Sequence, residues 1–369
     1  MIDPIKVLHV APLPPPLGGM TSYIQGLLNS DVFRTIDYRV VRFSYFNKEK
    51  YLGITRFLAN CLNAVVLTIN FLINLIFWHP TIVHIQSNSG FGFFEKSWIA
   101  FLAKVFRRKT IFHFHGGYMR EWYEQLPRFA QFLIRQCALI NDRIMTGSPQ
   151  MRETWLYIGV PEEKIIYIGN AVNLPAQDGI DRSFRDSISL LFLTRVVLEK
   201  GIIELIDAYL LLQKEIANLK LRIVGADTLD TPYVKKYLQN VDKNNLVEYI
   251  GPVNDQQKHK EYLESDIFVF PTYVEDQSYA VMEAMSYGLP VIASNVGGVP
   301  SLIAHEQNGY LVIPKNVDSL REGIRRVISE PNFRKTLGEN ARKTIEQGFT
   351  WNVRSKEIVT LYQTLVKSK

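Results

Sequence analysis

Residues 189–201 read Ser189-Leu190-Leu191-Phe192-Leu193-Thr194-Arg195-Val196-Val197-Leu198-Glu199-Lys200-Gly201. An apolar run of strand length gives way to two cations and a glycine. An apolar-periodic stretch of helix length follows at residues 202–217. Further on, strand-like runs recur at 221–224, 247–250, 267–270 and 290–293, with helix-like stretches at 233–239 and 318–329. Upstream the same alternation has strands at 7–11, 81–85, 110–114, 143–146 and 165–168. Alternating strands and helices predict βα units around parallel sheets. Residues 173–187, rich in Asp, Pro and Gly with little periodicity, read as a linker between two such series. The expected fold is therefore α/β, with two doubly wound domains at residues 1–172 and 173–350. A chain of 369 residues is long enough for two cores. Residues 351–369 read as one amphipathic helix, expected to pack back on the N-terminal domain.

Charge divides the two series. Residues 1–170 hold 18 lysines and arginines against 11 aspartates and glutamates, and the remainder holds 24 against 25. A basic half points to an anionic surface, either nucleic acid or membrane, unless it is simply solvated. None of the usual nucleic-acid modules occurs, so no nucleic-acid partner is expected. Two cysteines, Cys61 and Cys137, build no disulfide framework and match no zinc spacing. The first residues run straight into the strand at 7–11 without a signal-peptide pattern, which predicts a cytoplasmic protein. Residues 57–78 carry no charge over 22 positions, enough to span a bilayer. However, Asn60, Asn63, Asn70 and Asn74 share one helical stripe, costly to bury in hydrocarbon. The segment therefore reads as a helix lying on a sheet or at a membrane surface.

Chemistry concentrates after two strands of the second series. Ligands of open α/β sheets bind outside the carboxyl ends of strands, where Arg195 and Lys200 stand. A bidentate guanidinium and a compact ammonium suit a diphosphate, although two surface cations at a helix start are common. After the strand at 267–270 comes Glu275-Asp276-Gln277-Ser278-Tyr279-Ala280-Val281-Met282-Glu283-Ala284-Met285, entering a helix at 281–287. Amides of Ser278, Tyr279, Ala280 and Val281 at that helix start can bind phosphate. Glu283, one turn in, can accept ribose hydroxyls, and Glu275 would face a sugar. Two glutamates at this spacing are in themselves unremarkable.

These residues, in this order, resemble family 4 of the retaining glycosyltransferases. The resemblance rests on Arg195-x4-Lys200-Gly201, Glu275-x7-Glu283-Ala284-Met285 and Gly288-Leu289-Pro290-Val291-Ile292-Ala293-Ser294. Gly297-Gly298-Val299-Pro300 and Asn308-Gly309-Tyr310-Leu311-Val312 complete it, covering about residues 190–315. The first half matches more loosely. Pro14 to Met20, with Gly18 and Gly19, looks like the family's glycine loop beside the donor phosphates, where glycine permits close backbone approach. His115, in His113-Phe114-His115-Gly116-Gly117, falls where the family keeps a histidine beside the transferred sugar; His113 reads as structural. Two departures stand out. Asn170-Ala171-Val172-Asn173 replaces the usual Asn-Gly-Val-Asp. Asp276-Gln277-Ser278-Tyr279-Ala280 replaces Gly-Phe-Gly-Leu-Pro, which bears on sugar choice.

The resemblance implies GT-B architecture, two Rossmann-like domains facing a central cleft, and sugar transfer from a nucleotide-diphosphate donor to a glycan or lipid-linked acceptor. UDP-sugars are expected ahead of GDP-sugars. It also implies that no metal or other cofactor is needed. No Asp-x-Asp occurs in the chain, and Arg195, Lys200 and amide dipoles can offset diphosphate charge. An inactive sugar-nucleotide-binding protein and a nucleotide-sugar epimerase are the other readings. The basic first half, with residues 98–106 running into Arg107-Arg108-Lys109, adds the expectation of peripheral contact with an anionic membrane.

Overall fold

The computed structural model describes residues 5–14, 18–43, 53–176 and 187–367. It contains twelve strands and thirteen α-helices among those residues. In chain order the first series is β1 (Lys6–Ala11), α1 (Gly19–Asn29), β2 (Asp37–Arg42), α2 (Gly53–Phe77), β3 (Ile82–Ser87), α3 (Phe91–Val105) and β4 (Lys109–Phe114). It continues with α4 (Met119–Glu124), α5 (Arg128–Leu139), β5 (Arg143–Thr146), α6 (Pro149–Ile158) and β6 (Ile165–Tyr167). The second series is β7 (Ile188–Leu193), α7 (Ile202–Leu212), β8 (Leu219–Val224), α8 (Thr231–Val241), β9 (Val247–Gly251), α9 (Asp255–Glu264) and β10 (Ile267–Phe270). After it come α10 (Tyr279–Ser286), β11 (Val291–Ser294), β12 (Tyr310–Val312), α11 (Val317–Ser329), α12 (Pro331–Gly348) and α13 (Trp351–Lys367).

The chain divides into two compact units, residues 1–171 with 351–369, and residues 172–350. Each has one six-stranded sheet in which every pairing is parallel. The first sheet runs β2-β1-β3-β4-β5-β6, and the second runs β12-β11-β10-β7-β8-β9. Strand order reverses between β1 and β3 in one unit and between β7 and β10 in the other. These are the switch points where loops part and leave room for a ligand. Of the expected linker, residues 177–186 lie outside the described residues.

Central strands read as near-continuous apolar runs because both faces are covered. Phe192, Leu190, Val269 and Ile267 are fully buried in the second unit. In the first, Leu8, Val10, Val83, Ile85, Phe112 and Phe114 join the core that α2, α3, α5 and α6 close. Residues of opposite parity, His9, His84 and His113, face α1 and α13 instead. Two strands escaped the sequence reading. β2, Asp-Tyr-Arg-Val-Val-Arg, is a half-exposed edge whose charges hide its apolar alternation. β12 is three residues long, too short to give a period.

The uncharged segment lies within α2, one side of which packs on the core of the first unit. Leu67, Phe71 and Leu75 are buried in the core, and so is Asn63 of the amide stripe. Asn74 donates to the Asn70 carbonyl at 2.9 Å within its own helix, which lowers the cost of an amide beside an apolar seam. The stripe turned to solvent is apolar.

Candidate active site

At the switch point of the second unit, β7 and β10 lie side by side, and their carboxyl-end loops are tied together. β7 leads through Thr194 and Arg195 into a single 3-10 turn, Leu198–Lys200, then into α7. Gly201, with φ +72°, lets that turn press on the β10 loop: a Cβ there would lie 2.0 Å from the Pro271 carbonyl oxygen. Tyr273 N donates to Glu199 O at 2.8 Å, and the Thr272 hydroxyl donates to the same carbonyl at 3.3 Å. The two loops thereby bring Lys200 Nζ to 2.8 Å from Glu275 Oε2. Gly297, at φ +55°, backs this arrangement. A Cβ there would stand 1.7 Å from Glu275 O, and Gly298 N donates to that oxygen at 3.2 Å. The Gly-Gly pair of the sequence pattern thus packs directly on Glu275.

Lys200 is not the surface cation of the alternative reading. It is 8% exposed, because the turn folds it under the β10 loop and Glu275 offsets its charge. Arg195 is exposed, and among the described residues its guanidinium makes no ion pair. One cation is held ready by a carboxylate while the other faces water, so an anion at the end of β7 can meet both.

The helix start is α10, beginning at Tyr279, two residues before the expected boundary. Ser278 caps it, its hydroxyl accepting from Val281 N at 3.4 Å. Val281's amide is therefore already engaged, and an anion there would use the amides of Tyr279 and Ala280. Asp276, Gln277 and Ser278 are buried, so these departures from the family pattern are packed into the loop. Glu283 lies on α10 with both oxygens engaged. Lys258 Nζ is 2.9 Å from Oε1, and the Tyr262 hydroxyl donates to Oε2 at 3.0 Å. Burial first, then the Glu283 carboxylate, pushes the Tyr262 phenol well above its ordinary range, so it stays a donor. Lys258 and Tyr262, both on α9, were invisible in the sequence because 21 to 25 residues separate them from Glu283.

In the first unit, Gly18 is the N-cap of α1 and Gly19 opens it, at the end of the β1 loop. Pro15, Pro16 and Leu17 lie outside the described residues. Gly18 is extended, and a Cβ there would meet nothing nearer than 4.0 Å, so the fold itself does not demand glycine. His115 follows β4, anchored by its N–H donating to Ser87 O at 2.8 Å. Its Nε2 is 2.5 Å from Gln86 Oε1. His113 and Tyr23 pack on it, with ring centroids at 4.0 and 5.2 Å. Behind it runs a row of buried histidines: His113 to His84 at 5.5 Å and His84 to His9 at 5.1 Å. His84 Nδ1 meets the Tyr362 hydroxyl of α13 at 2.6 Å. Desolvation lowers the pKa of His115 and of His9 to about 3, and lowers those of His84 and His113 well below the ordinary value. All four are neutral at physiological pH. Gln86 was missed by the sequence reading, although His84-Ile85-Gln86 places two polar side chains on one face of a buried strand. His113 is structural in position, fully buried behind His115. Asn170 is buried at the end of the first unit. Among the described residues, no three His, Cys, Asp or Glu side chains are grouped to hold a metal ion.

Comparison with known proteins follows the two units. Residues 177–344 match the model of "Glycosyl transferases group 1", and residues 18–175 match that of "Glycosyltransferase Family 4". An uncharacterized glycosyltransferase of Methanocaldococcus jannaschii is 32% identical over 60% of the chain and 60% of its own length. The capsular polysaccharide biosynthesis glycosyltransferase CapM of Staphylococcus aureus is 28% identical over 53% of the chain and 51% of its own. The chain thus spans between half and three fifths of the length of these curated relatives. Among solved structures, HepE of Anabaena in complex with UDP superposes with a TM-score of 0.75 at 16% identity, covering 98% of this chain and 100% of that one. The shared fold is GT-B, with two Rossmann-like α/β units.

Proposed function

Because this chain belongs to the group 1, family 4 glycosyltransferases, we propose that it is a retaining hexosyltransferase using a UDP-sugar as donor. The acceptor is a glycan or a lipid-linked saccharide, in surface-polysaccharide or glycolipid assembly on the cytoplasmic side of a membrane. The similarity to CapM, a capsular polysaccharide biosynthesis glycosyltransferase, supports a role in polysaccharide assembly. The reaction breaks the bond from the anomeric carbon to the diphosphate oxygen. It forms one from the same face to the acceptor hydroxyl oxygen, whose proton leaves with the departing phosphate.

The observation that carries this reading is the Lys200–Glu275 pair at the β7/β10 switch point beside the exposed Arg195. As the diphosphate leaves, negative charge grows on it, and fixed cations at that place favour the transition state over the ground state. Lys200 exchanges Glu275 for phosphate, freeing Glu275 for the sugar hydroxyls. Arg195 adds bidentate contacts. The amides of Tyr279 and Ala280 take a further phosphate oxygen. Glu283, aimed by Lys258 and Tyr262, retains lone pairs for ribose hydroxyls. His115 bonds the transferred sugar as a neutral imidazole, adding no positive charge beside the oxocarbenium-like carbon. Gly18 and Gly19 admit the donor phosphates near the start of α1.

The reading is tested by following nucleotide release from a panel of UDP- and GDP-sugars in excess EDTA. Turnover of at least one UDP-sugar is expected, undiminished by the chelator. Binding of UDP without any turnover indicates a sugar-nucleotide-binding protein. A strict Mg²⁺ requirement means that the diphosphate is neutralised in another way.

A further inference from the structure

We propose that the outer surface of α2, α3 and α5 is a docking face for an anionic lipid bilayer. The three helices form one layer on one face of the first sheet, since all contribute side chains to the same core and α3 packs against both α2 and α5. Their outward residues are the unusual part. On α2, Leu58, Leu62, Val65, Ile69, Ile73 and Ile76 recur at spacings of three and four and are each 45–60% exposed. That is a solvent-facing stripe about five turns long with no polar residue in it. α3 adds Trp98, Phe101 and Val105 at the same periodicity, with the Trp98 and Phe101 rings stacked at 5.7 Å. α5 adds Phe129 and Phe132. A continuous exposed apolar face of this extent marks an interaction surface.

Charge selects the occupant. α2, α3 and α5 carry a single carboxylate, Glu95, and it is buried in an ion pair with Lys96. Among the described residues, exposed cations stand just beyond α3, at Arg107, and on α5, at Arg128 and Arg135. Arg108 and Lys109, half-buried, continue the basic run from Arg107. A second copy docking through this face would bring two positive rims together. An anionic leaflet meets the cations with lipid phosphates and takes the apolar stripes into its acyl boundary, with α2 lying in the plane of the interface. α2 is long and apolar enough to cross a membrane, but Leu67, Phe71 and Leu75 hold its other side to the core.

Co-sedimentation of the full chain with vesicles tests this. Vesicles of mixed phosphatidylcholine and phosphatidylglycerol should carry the protein down at low salt, and binding should fade as salt rises. Pure phosphatidylcholine vesicles should bind far less. Leu62→Gln, Ile69→Gln and Ile73→Gln together should lower vesicle affinity by about tenfold or more. Arg107→Ser with Arg108→Ser should lower it by about tenfold and flatten the salt dependence. Unchanged melting of each variant shows that the fold is retained. Should the triple variant not fold, Trp98→Gln replaces it, with a loss of several-fold expected. Wild-type protein left in the supernatant with anionic vesicles at low salt overturns the proposal, and so do variants that bind as well as wild type. A concentration-dependent dimer that the glutamine variants convert to monomer, without vesicle binding, assigns the face to a second copy and also overturns it.

Discussion

Lys200 and Arg195 stand five residues apart in the chain and are held in opposite ways. Lys200 is packed beneath the β10 loop with Glu275 as its counter-charge, while Arg195 projects into water. Lys200→Ala leaves a mostly buried carboxylate unpaired, a cost of about 1–3 kcal/mol. At roughly 2–4 °C per kcal/mol for a domain of this size, melting should drop by several degrees. Arg195→Ala should melt as wild type. Equal melting of the two variants by calorimetry contradicts the pairing. The two glutamates separate by ligand. Glu283→Ala should weaken binding of free UDP, whereas Glu275→Ala should leave UDP affinity nearly intact and slow turnover of the UDP-sugar. Titration calorimetry with UDP settles it, and equal loss of affinity in both variants refutes the division. At this scale the sequence pattern singled out Lys200 and Glu275, whose loops the structure brings together. Burial of Lys200 was not legible, since it depends on Gly201 and Gly297 allowing separate loops to touch.

β1, β3 and β4 place His9, His84 and His113 in one desolvated row, and this makes the first unit sensitive to acid. The folded pKa of His9 is about 3, against about 6.5 in an unfolded chain. Because the unfolded state binds the extra proton, the stabilisation is complete above about 6.5 and is lost as pH falls towards 3. His84 and His113 shift in the same direction. His9 alone contributes up to about 1.4 kcal/mol per pH unit within that window. Thermal melts from pH 7.5 to 4.5 should fall steeply, and His9→Asn should flatten the slope. A pH-independent melting temperature over this range contradicts the neutral row. The strands of both sheets were read from their apolar runs, apart from edge strand β2 and three-residue β12. Helix faces were harder. The amide stripe of α2 did not show which side faces water: Asn74 bonds the Asn70 carbonyl of the same helix, and the outward stripe is apolar.

Over the whole chain, both doubly wound sheets and the basic bias of the first half were visible in the sequence, because they rest on periodicity and composition. What sequence could not supply was tertiary pairing: Glu283 with Lys258 and Tyr262, and His115 with Gln86. These contacts join residues far apart in the chain, and no local pattern encodes them. The sequence places two cations after β7 and a carboxylate after β10, and the fold brings Lys200 and Glu275 into contact there. Sugar transfer driven by charge stabilisation at that point is the central claim, and Arg195 tests it best because its removal should leave the fold unchanged. The measurement is the turnover rate of Arg195→Ala with the preferred UDP-sugar, at saturating donor and with melting checked in parallel. A fall of about 10²-fold or more with unchanged melting is predicted, the scale of losing one transition-state donor. Turnover equal to wild type would contradict the account.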